Sequence, residues 1–250
     1  SRIGLLKDKK LVEFHQESDE TKFNVGDIYV GKVKKINKSL NAAFIDIGFE
    51  KDAFLHYLDL GPQFLSLKSF VKNARGKGKV SYDSSKKLDD INKFGKINEV
   101  LTKGDEILIQ VVKEPISTKG PRVTTELSLA GRYLILVSFS ETINVSKKIT
   151  KREERMRLIN LIKSIRPKNF GVIVRTVAEN KSVSELDKDL QSLTSIWKEG
   201  VKKIKKAKVG EKIIGEENKA TSLLRDILNS SFDNIAVSYT HLTLPTTGVV

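Results

Sequence analysis

The chain has 250 residues, of which 39% are hydrophobic, and this is enough to bury a core in one large domain or two smaller ones. Its 45 lysines and arginines against 31 aspartates and glutamates give a formal charge of +14, which favours a polyanion such as nucleic acid as partner, with a merely soluble basic surface as the alternative. The absence of cysteine excludes disulfides, thiolate nucleophiles and cysteine-based zinc sites within these residues, and it fits the cytoplasmic location that we expect.

Three short strands are predicted near the start of the chain. Apolar residues alternate with polar ones over residues 26–36, and Gly31 within that run suggests a β-bulge or a sharp bend. The segment "NAAFIDIGF", residues 41–49, repeats the strand pattern, and a charged turn separates it from "AFLHY", residues 53–57. Short strands in close succession are typical of small β-barrels.

Two phenylalanines, Phe44 and Phe54, fall on what should be neighbouring strands, close to many lysines. In oligonucleotide-binding barrels, bases stack on exposed ring faces while ammonium groups meet phosphates. The pair is therefore a candidate surface for a single strand, with ordinary core packing as the alternative.

A basic segment and a further strand follow. Residues 66–103 hold ten lysines and arginines against four aspartates and glutamates, with scattered glycine and serine, and this composition predicts a mobile basic insertion. "DEILIQVVKEP", residues 105–115, predicts another apolar strand that ends at Pro115, and residues 117–131 predict a loop that leads into the next strand. No apolar run approaches the length of a membrane-spanning helix, so we expect no membrane partner.

Beyond residue 150 the apolar period becomes helical. Residues 151–165 predict an amphipathic helix with apolar positions at Met156, Leu158, Ile159, Leu161, Ile162 and Ile165. Pro167 ends this helix, and "FGVIVRT", residues 170–176, predicts a buried strand. Ser182 and Glu185 form the capping-box pattern at the start of a second helix, whose core stripe is Leu186, Leu190, Leu193, Trp197, Val201 and Ile204.

Three segments in series resemble the N-terminal half of the bacterial ribonuclease E/G family. They are "VGDIYVGKVKKINKSLNAAFIDIGFEKDAFLHYLDL", "TKGPRVTTELSLAGRYLIL" and "FGVIVRT", which occur in the family's order and at similar separations. The resemblance implies an α+β protein in which an S1-type OB-fold β-barrel is inserted in a ribonuclease-H-like domain, incomplete here. A mixed α/β subdomain that senses the 5′ monophosphate of RNA follows.

The resemblance also implies domain boundaries. Residues 1–22 would be the first part of the ribonuclease-H-like domain, residues 23–118 the barrel with its insertion, residues 119–216 the 5′-sensor subdomain, and residues 217–237 the start of the returning ribonuclease-H-like segment. Residues 238–250, "SYTHLTLPTTGVV", depart from the family pattern and resemble translated adapter sequence. We expect this tail to be non-native, with a divergent native tail as the alternative.

Several residues match the family's RNA-contacting positions. Phe44 and Phe54 match barrel aromatics, and Lys119 matches a lysine at the barrel's exit, although a solvated turn residue is the alternative for Lys119. Arg175 and Thr176 match the pair that holds the terminal phosphate, for which a guanidinium supplies a bidentate fork and a hydroxyl one further donor. A structural ion pair is the alternative for Arg175.

Three more positions match the pocket for the terminal phosphate. Gly131 and Ile135 correspond to positions whose backbone frames it, with a strand bulge as the alternative. Lys147 stands where the family usually has arginine, so it supplies charge without the planar fork. The preceding segment, "SFSETINV", is a further departure from the family.

The family's hydrolysis resembles metal-assisted phosphoryl transfer, in which paired aspartates hold Mg²⁺. The resemblance places those aspartates after residue 250, so we assign no catalytic or metal-binding residue in this chain, and we expect turn or solvation roles for Asp46, Asp89 and Asp90. The expected function is the RNA-binding, 5′-monophosphate-sensing part of a homo-oligomeric, single-strand-specific endoribonuclease of rRNA processing and mRNA decay. We expect the truncated chain itself to be inactive. A non-catalytic RNA-binding protein, for example one associated with ribosomes, is the alternative.

Overall fold

The structure is a computed structural model of the chain, and it describes residues 2–16, 23–76, 82–215, 222, 225 and 232–234. The chain divides into two compact units, residues 1–22 together with 216–250, and residues 23–215. The predicted non-native tail, residues 238–250, and all but five residues of the predicted returning segment lie outside the described residues.

The described part of the first unit includes a β-hairpin. Strands β1 (Arg2–Lys7) and β2 (Lys10–Gln16) pair antiparallel. Asp8 and Lys9 connect them with φ values of 50° and 62°, the left-handed conformations that a two-residue hairpin turn requires. The sequence patterns described above do not predict this hairpin.

A closed five-stranded barrel begins the second unit. Its strands are β3 (Ile28–Asn37), β4 (Ala42–Asp46), β5 (Ala53–His56), β6 (Glu106–Lys113) and β7 (Arg122–Thr124). They lie in the order β3, β4, β5, β7, β6, and antiparallel pairing of β6 with β3 closes the barrel. Alternate side chains point inward and form one buried cluster, which includes Val33, Ile45, Leu55, Ile107 and Val123. Together with the helices described below, the barrel confirms the α+β class.

Gly31 lies on β3 and has a different role from the predicted one. It pairs regularly with Ile107, and a Cβ at this position would lie 2.5 Å from the side chain of Ile45. Glycine is required because neighbouring strands approach closely here. The predicted bulge at Gly31 is wrong, since the register shift of β3 lies between Val33 and Lys35.

The predicted mobile insertion, residues 66–103, is packed into the protein over much of its described part. Helix α1 (Phe64–Arg75) buries one face, formed by Phe64, Leu67, Phe70, Val71 and Ala74. Further along, the hydroxyl of Tyr82 donates to the carbonyl of Asn169 (2.9 Å) and accepts from the N–H of Phe139 (2.8 Å). A short helix, α2 (Ile97–Val100), ends the segment. The interpretation as a mobile loop is wrong for residues 66–75, because they belong to α1, whose apolar face is buried and whose Lys72 is exposed.

A four-stranded sheet and two long helices complete the second unit. The strands are β8 (Ser128–Ala130), β9 (Leu134–Ser138), β10 (Ile143–Val145) and β11 (Phe170–Val174), in the order β10, β11, β9, β8. Helix α3 (Arg152–Ile165) connects β10 to the parallel strand β11, and helix α4 (Val183–Ile204) follows. Strand β12 (Lys212–Ile214) then pairs with β3. Within the described part of the chain, no helix has both the length and the apolar character that crossing a membrane requires.

The sequence predicted the core faces of the two long helices and the cap of α4. The capping box of α4 is confirmed, because the Ser182 hydroxyl accepts from the Glu185 N–H (3.3 Å) and the Glu185 carboxylate accepts from the Ser182 N–H (2.9 Å). Its predicted core stripe is also buried, apart from a half-buried Val201. Helix α3 has a narrower core face than predicted: Leu158 and Ile162 are buried, whereas Met156 is half exposed.

One buried cluster joins the barrel to the sheet. Ile28 of β3 and Leu108 of β6 belong to the same cluster as Leu136 of β9 and Val172 of β11. Aromatic rings add to it around one centre, since the Tyr82 ring lies 4.7 Å from Phe139, 4.7 Å from Phe170, 5.0 Å from Trp197 and 5.4 Å from Phe70. The barrel surface and the sheet therefore belong to one packed body.

Candidate nucleic-acid interface

Phe44 and Phe54 lie directly opposite each other on β4 and β5. Their ring centroids are 5.9 Å apart with an angle of 69° between the planes, and both side chains are half-buried. Side chains alternate along a strand, so the neighbours that point into the core are Ala43, Ile45, Ala53 and Leu55. Neither ring belongs to a buried cluster, and the pair therefore lies on the outer face of the barrel.

Basic side chains continue the row of these two rings on both sides. In the strand register, Lys35 of β3 is opposite Phe44, Arg122 of β7 is opposite Phe54, and Lys113 of β6 is opposite Arg122. All three basic side chains are exposed. We call these five residues the barrel row. Its three cations were missed by the sequence analysis, because their alignment with the rings depends on the order of the strands.

A groove opens at the Arg122 end of the barrel row. Nε and Nη2 of Arg122 each lie 3.0 Å from an oxygen of Asp59, and these hydrogen bonds, with the charge of Asp59, raise the pKa of Arg122 above its ordinary value. The groove has a volume of about 350 Å³, and Lys113, Gln110 and Thr124 are among its lining residues. The groove adjoins the aromatic pair through Arg122, which is opposite Phe54 in the strand register.

Lys119 lies in a tight turn near the same strands. Its backbone N–H and C=O both bond to Ile116, at 2.9 and 3.1 Å, and its side chain is exposed. Two residues later, the carbonyl of Pro121 accepts from the N–H of Phe54 (2.8 Å). Lys119 is therefore a turn residue that lies close in the chain to the attachment point of Phe54.

Arg175 and Thr176 follow β11 directly. The backbone N–H of Arg175 donates to the carbonyl of Tyr133 (2.8 Å), and its Nη1 donates to the carbonyl of Gly131 (2.8 Å). Both bonds attach Arg175 to the loop of residues 131–134, between β8 and β9. The guanidinium is thus held in one place.

Asp189 of α4 organises this loop. Its carboxylate accepts the backbone N–H groups of Arg132 (3.0 Å), Tyr133 (2.9 Å) and Leu134 (2.9 Å). A Cβ at Gly131 would lie 2.6 Å from the same carboxylate, so the close approach of Asp189 requires glycine. Sequence reasoning missed Asp189, because an aspartate on the polar side of a helix carries no distinguishing signal.

Further charges lie around the loop. The guanidinium of Arg132 and the ammonium of Lys181 each lie 5.5 Å from the centroid of the Tyr133 ring. Lys181 pairs with Glu185 (3.1 Å), and hydrogen bonds from Ser182 and then from Lys181 lower the pKa of Glu185 to about 2. Glu185 therefore stays ionised and partly offsets Lys181, whereas Arg132 and Arg175 add positive charge at the loop.

Thr176 and Lys147 are connected through Ser146. The hydroxyls of Thr176 and Ser146 are 2.8 Å apart, and the N–H of Ser146 donates to the carbonyl of Val174 (2.9 Å). Lys147 follows Ser146 and is exposed. If Ser146 donates in the hydroxyl pair, the proton of Thr176 remains available for another acceptor.

Ile135 lies on β9 opposite Ala130 of β8 and Ile173 of β11, and its side chain is half-buried. Strands β8 and β11 end where β9 begins, and β10 ends beside β11. All five residues predicted for the phosphate pocket therefore lie at one end of the four-stranded sheet, which we call the sheet end: Gly131, Ile135, Lys147, Arg175 and Thr176.

The structure also places the aspartates that were not assigned to catalysis. Oδ1 of Asp46 accepts from the N–H of Gly48 (3.0 Å), which is a turn role, and Asp89 and Asp90 are exposed. Among the described residues, no group of three or more histidines, aspartates and glutamates is placed to hold a metal ion. We name no residue that would hold Mg²⁺ and derive no step through a metal.

A closed barrel with paired aromatic rings between cations has the composition of proteins that bind single-stranded nucleic acid. Comparison with known proteins points to one particular family. The model of the ribonuclease E/G family matches residues 128–244. Over 237 residues the chain is 32% identical to ribonuclease G of Haemophilus influenzae and 31% identical to ribonuclease G of Escherichia coli, and both alignments cover 95% of this chain.

A third relative is ribonuclease E of Synechocystis sp., with 34% identity over 214 residues, or 85% of this chain. The chain belongs to the ribonuclease E/G family. It spans 45% of the length of the two ribonuclease G relatives and 28% of the length of the ribonuclease E relative.

Proposed function

We propose that this chain binds single-stranded RNA and recognises its 5′ monophosphate. The observation that carries the proposal is the barrel row, in which Phe44 and Phe54 lie between Lys35, Arg122 and Lys113. Ring faces can stack with any base, and the cations on both sides can meet the phosphates of the same strand. Lys119 adds a further cation close to Phe54.

The sheet end is the proposed site for the 5′ monophosphate. Arg175 supplies charged donors that its bonds to the 131–134 loop already orient, Thr176 supplies a hydroxyl, and Lys147 supplies a point charge. The backbone at Gly131 and Ile135 would frame the pocket. A 5′ hydroxyl lacks the negative charge of the phosphate and cannot use these donors to the same extent.

We further propose that the whole protein is a single-strand-specific endoribonuclease that acts in the cytoplasm in rRNA processing and mRNA decay, as a homo-oligomer that requires Mg²⁺. On this proposal the barrel is an S1-type OB-fold, and residues 1–22 and 217–237 belong to a ribonuclease-H-like domain. This support comes from membership of the family, in which the relatives named above are ribonucleases. The chain itself would bind RNA without cutting it.

The proposal can be tested with the purified 250-residue chain. An AU-rich single strand with a 5′ monophosphate is incubated with the chain and Mg²⁺, and bound and cut RNA are measured in the same samples. The matched controls are the same strand with a 5′ hydroxyl and the same sequence as a duplex. We expect binding in the order monophosphate, hydroxyl, duplex, and no cleavage.

Other outcomes would contradict separate parts of the proposal. Equal affinity for the single strand and the duplex would contradict single-strand recognition by the barrel row. Equal affinity for the two 5′ ends would contradict the sheet end as a sensor. Mg²⁺-dependent cleavage that follows the chain through purification would show that it contains catalytic carboxylates.

A further inference from the structure

Phe94 lies in the basic segment of residues 66–103 and has no role in the function proposed above. Its side chain is 89% exposed, the highest value among the large hydrophobic residues in the described part of the chain. A single exposed apolar residue is common on protein surfaces and is not evidence by itself. The loop that holds Phe94 supplies the further observations.

The barrel fixes the loop of residues 92–95 in place. The hydroxyl of Tyr57, a buried barrel residue, donates to the carbonyl of Asn92 (2.5 Å), and Oδ1 of Asn92 accepts the N–H of Phe94 (2.9 Å). A Cβ at Gly95 would overlap the hydroxyl of Tyr57, so glycine allows the turn to close on it. The exposed ring is thus presented by an ordered turn, which lowers the entropy cost of binding.

Asn41 provides a second attachment. Its Nδ2 donates to the carbonyl of Gly95 (3.1 Å), and its Oδ1 accepts the N–H of Ile97 (2.7 Å). Both hydrogen-bonding groups of this side chain therefore hold the segment that carries Phe94.

These attachments place the loop relative to the aromatic pair. Asn41 immediately precedes β4, and Tyr57 immediately follows β5. Phe44 is three positions after Asn41, and Tyr57 is three positions after Phe54, which is roughly 10 Å along each strand. The loop therefore lies at one end of the strand pair that carries the two rings.

The surroundings of Phe94 favour RNA over a protein as the partner. Lys93 directly precedes Phe94 in the chain and Lys96 follows it by two positions, and both are exposed. An aromatic face between cations matches the base and the phosphates of a single strand. Leu40 and Leu58 are also exposed at this end, and they would be the neighbouring contacts if a protein docked there instead.

We propose that Phe94 is a third base-stacking residue, which extends the barrel's RNA-binding surface beyond Phe44 and Phe54. The inference rests on the proposed binding of single-stranded RNA by the barrel row. It adds that the bound RNA continues along β4 and β5 toward the loop of residues 92–95. An oligonucleotide that is too short to reach this loop should not detect the ring.

The test is a length series of RNA. Dissociation constants are measured by fluorescence anisotropy for 5′-hydroxyl oligonucleotides of about 4 to 16 nucleotides, the range of strand lengths that one OB-fold holds. Phe94→Ala should raise the Kd of the long oligonucleotides about fivefold or more and leave that of the shortest unchanged. Phe44→Ala should raise the Kd at every length.

Matched variants separate stacking from simple apolar contact. Phe94→Leu should bind as weakly as Phe94→Ala, whereas Phe94→Trp should bind like the unaltered chain, because only an aromatic ring stacks. Leu58→Ala, an exposed apolar change at the same end of the barrel, should leave the Kd unchanged. The thermal midpoints of all four variants should match that of the unaltered chain, because these side chains are exposed.

The remaining outcomes overturn the inference in distinguishable ways. If Phe94→Ala binds every length normally while Phe44→Ala is weakened, Phe94 is not a stacking residue and the proposed function stands. If both variants bind normally, the proposed function fails together with the inference. If Phe94→Ala and Leu58→Ala reduce self-association in sedimentation experiments without changing the Kd for RNA, this end of the barrel is a protein interface.

Discussion

The barrel row and the sheet end are two surfaces of one packed body, and their side chains are held in different ways. In the barrel row, Lys35 and Lys113 have no ion-pair partner among the described residues, and the two rings are half-buried. At the sheet end, Arg175 is bonded to two carbonyls, and Asp189 fixes the loop that contains them. The first surface is adaptable, whereas the second is preorganised.

This difference has an energetic consequence. Stacking and exposed cations tolerate any base and any small shift of the strand, so each contact of the barrel row should add a modest, separable part of the affinity. A preorganised site loses most of its function when one support is removed, because its donors must converge on one small group. The variants below test whether the two surfaces behave in these two ways.

The largest effect is expected for Asp189→Ala. Three backbone N–H groups lose their acceptor, which should lower the free energy of unfolding by roughly 3 kcal/mol, as measured by urea denaturation. Asp189→Asn keeps one carbonyl oxygen and should lose less. The folded fraction of Asp189→Ala should also lose its preference for a 5′ monophosphate. An unchanged free energy of unfolding would show that water replaces Asp189 as the acceptor of the three backbone N–H groups.

Arg175→Gln should abolish discrimination between 5′ ends while it leaves the barrel row intact. Charge-assisted hydrogen bonds contribute about 1.5–3 kcal/mol, so the ratio of Kd values for 5′-hydroxyl and 5′-monophosphate RNA should fall about tenfold or more. Arg175→Lys, which keeps the charge without the fork, should give an intermediate ratio. Affinity for 5′-hydroxyl RNA is the internal control and should not change. Discrimination that survives Arg175→Gln would place the sensor elsewhere.

Phe44→Ala should weaken RNA binding by about 1–3 kcal/mol for either 5′ end, because a stacked base is lost. The dependence of the affinity on salt should be unchanged, since no charge is removed. Phe44→Tyr keeps the ring and serves as the matched control. If Phe44→Ala is folded and binds with unaltered affinity, the ring has a structural role only.

Residue type and periodicity were sufficient to predict four of the five barrel strands, the capped helix α4 and the placement of Phe44 and Phe54 on neighbouring strands. They were insufficient for β7, a strand of three residues that lies within the predicted loop of residues 117–131. They were also insufficient for the cations of the barrel row, because Arg122 comes to lie opposite Phe54 only through the parallel pairing of β7 with β5. Helix α1 was missed because the lysine-, glycine- and serine-rich residues that follow it dominate the composition of the segment. Asp189 was missed because its partners are backbone groups more than 50 residues away in the chain.

The smallest effects are expected for the lysines of the barrel row, and they separate the two surfaces most directly. Each phosphate contact by a lysine contributes about 0.7 to the slope of log K against log salt for a single strand. Lys35→Gln and Lys113→Gln should each reduce the slope by about that amount, and the double variant by about twice as much, because exposed charges with no ion-pair partner in the described residues act independently. The measurement is a salt titration of the Kd for 5′-hydroxyl RNA.

Arg122→Gln is the informative comparison for these lysines. Its guanidinium is already paired with Asp59, so RNA must compete for it, and its removal also leaves Asp59 as an uncompensated negative charge. This variant should lose affinity through repulsion by Asp59 as well as through the lost contact, and Asp59→Asn combined with it should restore part of the loss. If all three basic changes leave the salt slope unaltered, the cations of the barrel row do not contact phosphates and only make the surface soluble. The sheet end would then be the remaining candidate for phosphate binding.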